Sequence, residues 1–375
     1  MRSEPAVPAA ALAAIREPFL AVGAAPVDAP ILQPLGLLLE LAGEAMRARL
    51  FVVQAEGGEE LCLRPDFTVP VVRQHLESGQ AAGRYLYEGR AFRASDHPDR
   101  PQEFRQIGLE RFDSAGPPDP DADAEITVLA WRASAAGGRD DLVLQLGDVA
   151  LFAAFVDGLG LAEPLAARLK RAASRPRLLQ AELARAGAQG EAPEGGRLAD
   201  LLAGLSPSDA AALLEEVWSL AGVEPVGGRG PAEIAQRLIR RADASRAPAL
   251  TVGQAQAVRD FLQIEDAPEA AFAAIRQAGK GEALSTALEA WERRLGRLAS
   301  EVPAERLRFA AAPGHAFDYY DGLTFQVRSQ ALGADRPVAV GGRYDSLPTR
   351  LGASISGRAI GCMVRPWRAF AGGEA

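Results

Sequence analysis

Polar and apolar positions alternate most clearly between residues 83 and 112, where Tyr85–Arg93 and Glu103–Phe112 flank a loop holding Pro98 and Pro101. Period-two alternation marks strands, and two such runs about a proline-bearing loop predict an antiparallel pair. The same period sets the faces. Tyr85, Tyr87, Gly89, Ala91 and Arg93 share one side of the first strand, and Gln106, Gly108 and Glu110 share one side of the second. A floor of small residues then carries an arginine, an amide and a carboxylate, which suits an anion and an amine bound together. A surface hairpin with solvated charges would show the same pattern.

Other elements follow from spacing. Leu12, Ile15, Phe19 and Leu20 predict an amphipathic helix over 8–22, and the proline-punctuated run 26–34 reads as a peripheral strand. Residues 50–63 form a hairpin about Glu56-Gly57-Gly58-Glu59, leading through Arg64-Pro65-Asp66-Phe67-Thr68 into a helix containing Val71, Val72 and Leu76. On this local reading Asp66 and Thr68 are ordinary N-capping residues. A Pro/Asp/Gly-rich loop is expected over 113–123, a helix over 124–135 and a strand over 141–147, with Asp148 capping a helix over 149–159. From 162 to 301 the chain is alanine-rich and helical by periodicity, with no strict repeat, and a strand returns at 307–310. The expectation is an α+β fold in which residues 1–160 and 302–375 enclose a helical insertion, 161–301.

At 375 residues and 48% hydrophobic the chain can bury a substantial core. A net charge of -8 and the lack of any Lys/Arg block argue against a basic nucleic-acid face. Cys62 and Cys362 stand apart in apolar company, which predicts buried thiols of a reducing compartment, and His75, His97 and His315 are too scattered for a metal site. No leader-like or membrane-length apolar run is evident, so a soluble, cytoplasmic protein without metal or cofactor is expected.

The stretch Gly83–Phe112 resembles motif 2 of class II aminoacyl-tRNA synthetases, and is most similar to that of histidyl-tRNA synthetases, with Phe92-Arg93 closing one strand and Gln106 and Glu110 on the other. Further similarities follow in family order. Arg64-Pro65-Asp66-Phe67-Thr68 resembles the Arg-Pro-Glu-x-Thr segment whose acid and threonine meet the substrate's α-amino group. Asp318-Tyr319-Tyr320 and Gly341-Gly342-Arg343-Tyr344-Asp345 resemble the two histidine signatures. The resemblance implies a class II antiparallel sheet flanked by helices, with Asp66, Thr68, Arg93, Gln106, Glu110, Tyr319, Tyr320 and Tyr344 as a histidine-binding set. It also implies a vestigial nucleotide site at Arg93 and Arg368, and a homodimer through the motif 1 region, 26–34.

Departures from the pattern are equally specific. His315 stands where the synthetases carry the arginine that contacts carboxylate and phosphate during activation, and a shorter, mostly neutral imidazole cannot form an arginine fork. Arg365, Pro366 and Trp367 replace the Gly-Leu-Glu of motif 3, and the sequence ends seven residues after Arg368, leaving no anticodon-binding domain. This combination is similar to the regulatory-subunit family of ATP phosphoribosyltransferase. That resemblance implies a subunit without catalytic residues, joined to a short-form catalytic subunit in a hetero-octamer, with L-histidine as effector and with neither tRNA nor membrane as partner. A truncated amino-acid-activating enzyme and a purely structural scaffold are the alternatives.

Overall fold

The computed structural model describes residues 1–42, 44–117, 119–173, 175–187, 205–221, 249–312, 319–353 and 357–373. Its strands are β1 (Ala25–Val27), β2 (Leu32–Pro34), β3 (Val52–Gln54), β4 (Glu60–Leu63), β5 (Gly83–Phe92), β6 (Glu103–Asp113), β7 (Leu142–Asp148), β8 (Glu265–Asp266), β9 (Leu307–Ala310), β10 (Leu323–Ser329), β11 (Ala339–Arg343) and β12 (Arg358–Val364). Among the described residues they form a nine-stranded sheet, ordered β1-β5-β6-β12-β11-β10-β7-β9-β8, and a three-stranded sheet, β2-β4-β3. Neighbours in the large sheet run antiparallel except β1 with β5 and β7 with β9. The architecture is α+β, a mostly antiparallel sheet flanked by helices.

The chain divides into two compact units, one of residues 1–160, 170–176 and 258–375 and one of residues 161–169 and 177–257. The second unit is helical where described; an Arg168–Glu182 ion pair at 3.0 Å and the buried Leu165, Leu169, Leu179, Leu183 and Leu214 stabilise it. The large sheet belongs to the first unit. So do the helices Pro268–Ala278 and Glu282–Leu298, although their sequence continues the alanine-rich helical run.

In several places the structure differs from the sequence expectation. The proline-rich run 26–34 contributes to both sheets, because β1 pairs with β5 and β2 pairs with β4, each at a sheet edge where a missing proline N–H is tolerated. β8 interrupts the stretch expected to be helical. The predicted loop 113–123 ends early: α4 (Pro120–Ala135) begins where Asp119 accepts N–H bonds from Asp121 and Ala122 at 3.0 and 3.1 Å, and proline occupies the first helical position. Asp123 therefore lies in a helical first turn. It is fully buried, with Arg294 Nε at 2.8 Å and Arg343 Nε at 2.7 Å.

One face of the sheet, built from Ile107, Leu109, Leu144, Leu146, Phe325 and Ile360, packs under α4 and the helix Glu282–Leu298, with Trp291, Phe272 and Phe309 in mutual ring contact. The charges within this apolar layer are paired. Asp148 is the cap of α5 (Val149–Asp157), as expected: one carboxylate oxygen accepts from Ala150 N at 2.8 Å and Leu151 N at 3.2 Å. Its other oxygen accepts from Trp291 Nε1 at 2.7 Å. The opposite face is covered in part by α3 (Thr68–Ser78) and carries the site described below.

Removing one partner of a buried ion network leaves an uncompensated charge. Asp123→Ala, which leaves Arg343 with Asp345 alone and Arg294 with Asp148 at 4.0 Å, is expected to lower the unfolding free energy by about 3–5 kcal/mol in urea titration. Glu292→Ala, which breaks the exposed Arg276–Glu292 pair, is expected to change it by less than about 1 kcal/mol.

Candidate functional site

Register places the chemistry. β5 and β6 pair Tyr85 with Glu110, Tyr87 with Gly108 and Gly89 with Gln106, so the residue sets assigned to one face of each strand lie on a common face. Across β6, β12 and β11 the register continues from Glu110 to Gly361 to Gly342, and from Gly108 to Met363 to Val340. Glycine is required here by contact. A Cβ at Gly361 would fall on the Glu110 carboxylate, one at Gly108 would collide with the Tyr87 hydroxyl, and one at Gly342 would stand 2.8 Å from the Tyr320 ring. Side chains can therefore lie flat across the neighbouring strand.

Above this floor Asp66, Thr68, Arg93, Gln106, Glu110, Tyr319, Tyr320 and Tyr344 line one cavity of about 330 Å³, with Tyr87, Val340, Gly361, Cys362 and Met363 completing it. Chain segments from far apart in sequence thus meet: the start of α3, the β5–β6 hairpin, the tyrosines before β10 and after β11, and the strands β11 and β12. Tyr87 was placed on this face by period two without a role in binding, and Val340 and Met363 were not singled out from sequence. Their parity on the strands was the available signal. His315 and Asp318 lie outside the described residues.

Glu110 is the buried centre, 1% exposed. Thr68 Oγ1 donates to one carboxylate oxygen at 2.8 Å and the Tyr344 hydroxyl donates to the other. Burial pushes the Glu110 carboxyl up to about 8, against the lowering effect of those two hydroxyls and with some help from Asp66. The Asp66 carboxyl is likewise raised by burial, opposed by Arg93 and by the N–H groups of Thr68 and Val69, so contact with the helix start and a place in the cavity coexist. Arg93 donates from Nε to Pro65 O at 2.9 Å. Tyr319 stacks edge-on against Tyr344, ring centroids 5.9 Å apart.

Two groups stand out for what they lack among the described residues. Gln106 is fully buried, and neither its amide nitrogen nor its oxygen has a hydrogen-bond partner; nor has Asp66 Oδ1. An unsatisfied buried polar group costs about 1–3 kcal/mol, so a donor, an acceptor and an anionic oxygen left so in one cavity fit a small guest carrying both an amine and an anion.

Arg93 and Arg368 line an adjoining cavity of about 1310 Å³ together with Arg49, Arg100 and Arg365, and Tyr320, Val340 and Met363 belong to both cavities. Arg365 is buried, its guanidinium 3.7 Å from the centroid of the Phe104 ring. It pairs with Glu4, whose carboxyl burial raises, while burial lowers Arg365 to about 9. The chain's first residues form a strap there: Glu4 N donates to Glu103 O at 3.0 Å, and the Arg2 guanidinium donates to Ser95 O at 2.7 Å and His97 O at 3.0 Å.

The profile of the histidyl-tRNA synthetase family matches residues 7–226 and 231–365. The chain is 35% identical over 335 residues to an ATP phosphoribosyltransferase regulatory subunit of Brucella anthropi, covering 88% of each chain. It is 36% identical over 346 residues to the protein of that name in Mesorhizobium japonicum, covering 90% of each. The chain belongs to the ATP phosphoribosyltransferase regulatory subunit family. Solved structures show the same fold: an ATP phosphoribosyltransferase regulatory subunit/histidyl-tRNA synthetase of Bacillus halodurans has a TM-score of 0.61 at 20% identity, over 96% of this chain and 77% of that one. A histidine–tRNA ligase subunit of Alicyclobacillus acidocaldarius has a TM-score of 0.55 at 21% identity, over 98% and 94%. Within this regulatory-subunit family the chain sets a cavity holding Asp66, Gln106 and Glu110 beside one lined by five arginines. Among the described residues no helix is long and apolar enough to cross a membrane, and no cluster of His, Cys, Asp or Glu is placed to hold a metal.

The raised Glu110 carboxyl makes stability depend on pH. Above the ordinary value of 4.5 and below about 8 the folded chain holds a proton that the unfolded chain has released, so this contribution to stability falls as pH rises. Glu110→Gln removes the titration, and between about pH 5 and about pH 9 the variant is expected to gain stability relative to wild type. Urea midpoints at the two pH values check this, and parallel profiles would contradict it.

Proposed function

We propose that the chain is the regulatory subunit of an ATP phosphoribosyltransferase, that it activates a short-form catalytic subunit, and that it carries the feedback signal of L-histidine. The carrying observation is the cavity in which Gln106 and Asp66 Oδ1 are buried without hydrogen-bond partners beside the buried Glu110. In this reading Asp66, Thr68 and Gln106 hold the α-amino end, Arg93 faces the carboxylate, and Glu110, Tyr319, Tyr320 and Tyr344 face the imidazole.

The same reading makes the chain non-catalytic. Arg365 stacks on Phe104 where the synthetases carry glycine, so its side chain fills a surface that an adenine would need, and position 315 offers histidine in place of the activating arginine. Loss of one such cation removes about 3–4 kcal/mol of transition-state stabilisation. Arg93 and Arg368 are then what remains of a nucleotide site. We further propose assembly with the catalytic chain in a cytoplasmic hetero-octamer, with a homodimer through residues 26–34. The chain would act by shifting a conformational equilibrium, a coupling of about 1–3 kcal/mol, or about five- to 150-fold.

Mixed with a short-form catalytic chain from the same genome, the protein is expected to give a larger complex on a sizing column, higher turnover and stronger inhibition by histidine. Glu110→Ala and Tyr344→Ala should weaken the inhibition and leave the complex intact. Unchanged histidine sensitivity, or histidine-dependent pyrophosphate exchange above background, would overturn the assignment.

A further inference from the structure

Two short segments outside the strands bring tyrosines to the cavity: Tyr319 and Tyr320 before β10, and Tyr344 after β11. β10 and β11 pair only from Thr324 with Gly342 onward, so the ladder itself does not fix these segments. Asp321 does. Its backbone N–H donates to Arg343 O at 3.0 Å, its Oδ1 accepts from Asp345 N at 3.0 Å, and its Oδ2 accepts from Ser346 N at 2.7 Å. Both carboxylate oxygens on one segment are thus spent on backbone donors of the other. The next residue, Gly322, accepts from Val149 N at 3.0 Å, which ties the tyrosine pair to the start of α5.

The far side of the clamp is itself anchored. Asp345 takes Arg343 Nη1 at 2.9 Å, Arg358 Nη1 at 2.6 Å and Ala359 N at 2.8 Å, and Arg343 continues to the buried Asp123. Asp321 does not line the amino-acid cavity; it lies in the wall of a separate cavity beside Val149 and Arg350. Its effect on a guest must therefore pass through Tyr319, Tyr320 and Tyr344.

We infer that Asp321 is a positioning residue that locks the two tyrosine-bearing segments to each other, so that the ligand affinity of the cavity is set by a carboxylate outside it. The inference rests on the amino-acid-binding reading for its effect on affinity, while the clamp itself is a property of the fold. Two charge-assisted bonds to one carboxylate hold tyrosine orientation more tightly than ring packing alone, because each charged acceptor bond is stronger than a neutral one. Asparagine offers one carbonyl oxygen to one of the two N–H groups and turns its own donors toward the other. A matched control exists at the opposite end of β10, where Asp141 Oδ2 accepts from Ser329 Oγ at 2.5 Å and from Ala331 N at 2.9 Å, far from the cavity.

The test compares wild type, Asp321→Ala, Asp321→Asn and Asp141→Ala by calorimetric titration with L-histidine and by amide hydrogen exchange. Asp321→Ala is expected to weaken binding about tenfold or more, Asp321→Asn to fall between it and wild type, and Asp141→Ala to stay within about twofold. In Asp321→Ala exchange is expected to quicken at Asp345 and Ser346 and across residues 319–322, with β6 and β12 unchanged. Equal weakening by Asp321→Ala and Asp141→Ala, or wild-type affinity in Asp321→Ala, would overturn the inference. Should wild type itself show no heat with histidine, the amino-acid reading fails, and exchange alone decides the clamp: wild-type exchange over both segments in Asp321→Ala overturns it.

Discussion

A buried carboxyl lying against a bare backbone is the contact from which the rest of this site is arranged. Glu110 occupies the space that a side chain at Gly361 would fill, and the strand pairing of β6 with β12 puts the two residues opposite each other. Because the floor has no side chains there, Tyr87, Glu110 and Tyr320 lie along it and leave their polar ends facing one small volume. Desolvation follows from the same geometry. It raises both carboxyls in the cavity and lowers Arg93, so the groups are held in a balance that a charged guest can tip.

Much of this was legible in the sequence, for identifiable reasons. Period two assigned Tyr87 and Gly89 to one face and Gln106 and Glu110 to another, and the register of the hairpin makes those faces one. The α+β architecture followed from motifs that recur in family order. What escaped were features set by contacts distant in sequence. Asp123 was read into a loop because its neighbours are Pro, Asp and Gly; only Arg294 and Arg343, 171 and 220 positions away, reveal it as a buried junction. The stacking of Arg365 on Phe104 and its pairing with Glu4 likewise have no local signature.

Net charge misled in one respect. A chain of charge -8 gives no hint of a cavity lined by Arg49, Arg93, Arg100, Arg365 and Arg368, since acidic residues elsewhere offset them in the sum. Charge is distributed locally, and the two cavities share Arg93, Tyr320, Val340 and Met363. Two carboxyls raised by burial stand beside Arg93 in one space, and Arg93 joins four further arginines in the other.

The order of strands has a consequence for how the chain reaches this state. β12 is the last strand in sequence, yet it sits in the middle of the sheet between β6 and β11 and carries Gly361. Until residues 358–364 emerge from the ribosome, β6 presents a long unpaired edge and the floor beneath Glu110 does not exist. Glu4 and Arg365, 361 positions apart, can meet only after that. A sheet closed from the inside by its latest strand relies on pairings distant in sequence, the kind that slow folding in general and leave a strand edge open to wrong pairing while they are unmade. Without residues 358–364, β6 would keep β5 as its one neighbour and Glu110 would lose the backbone it lies against.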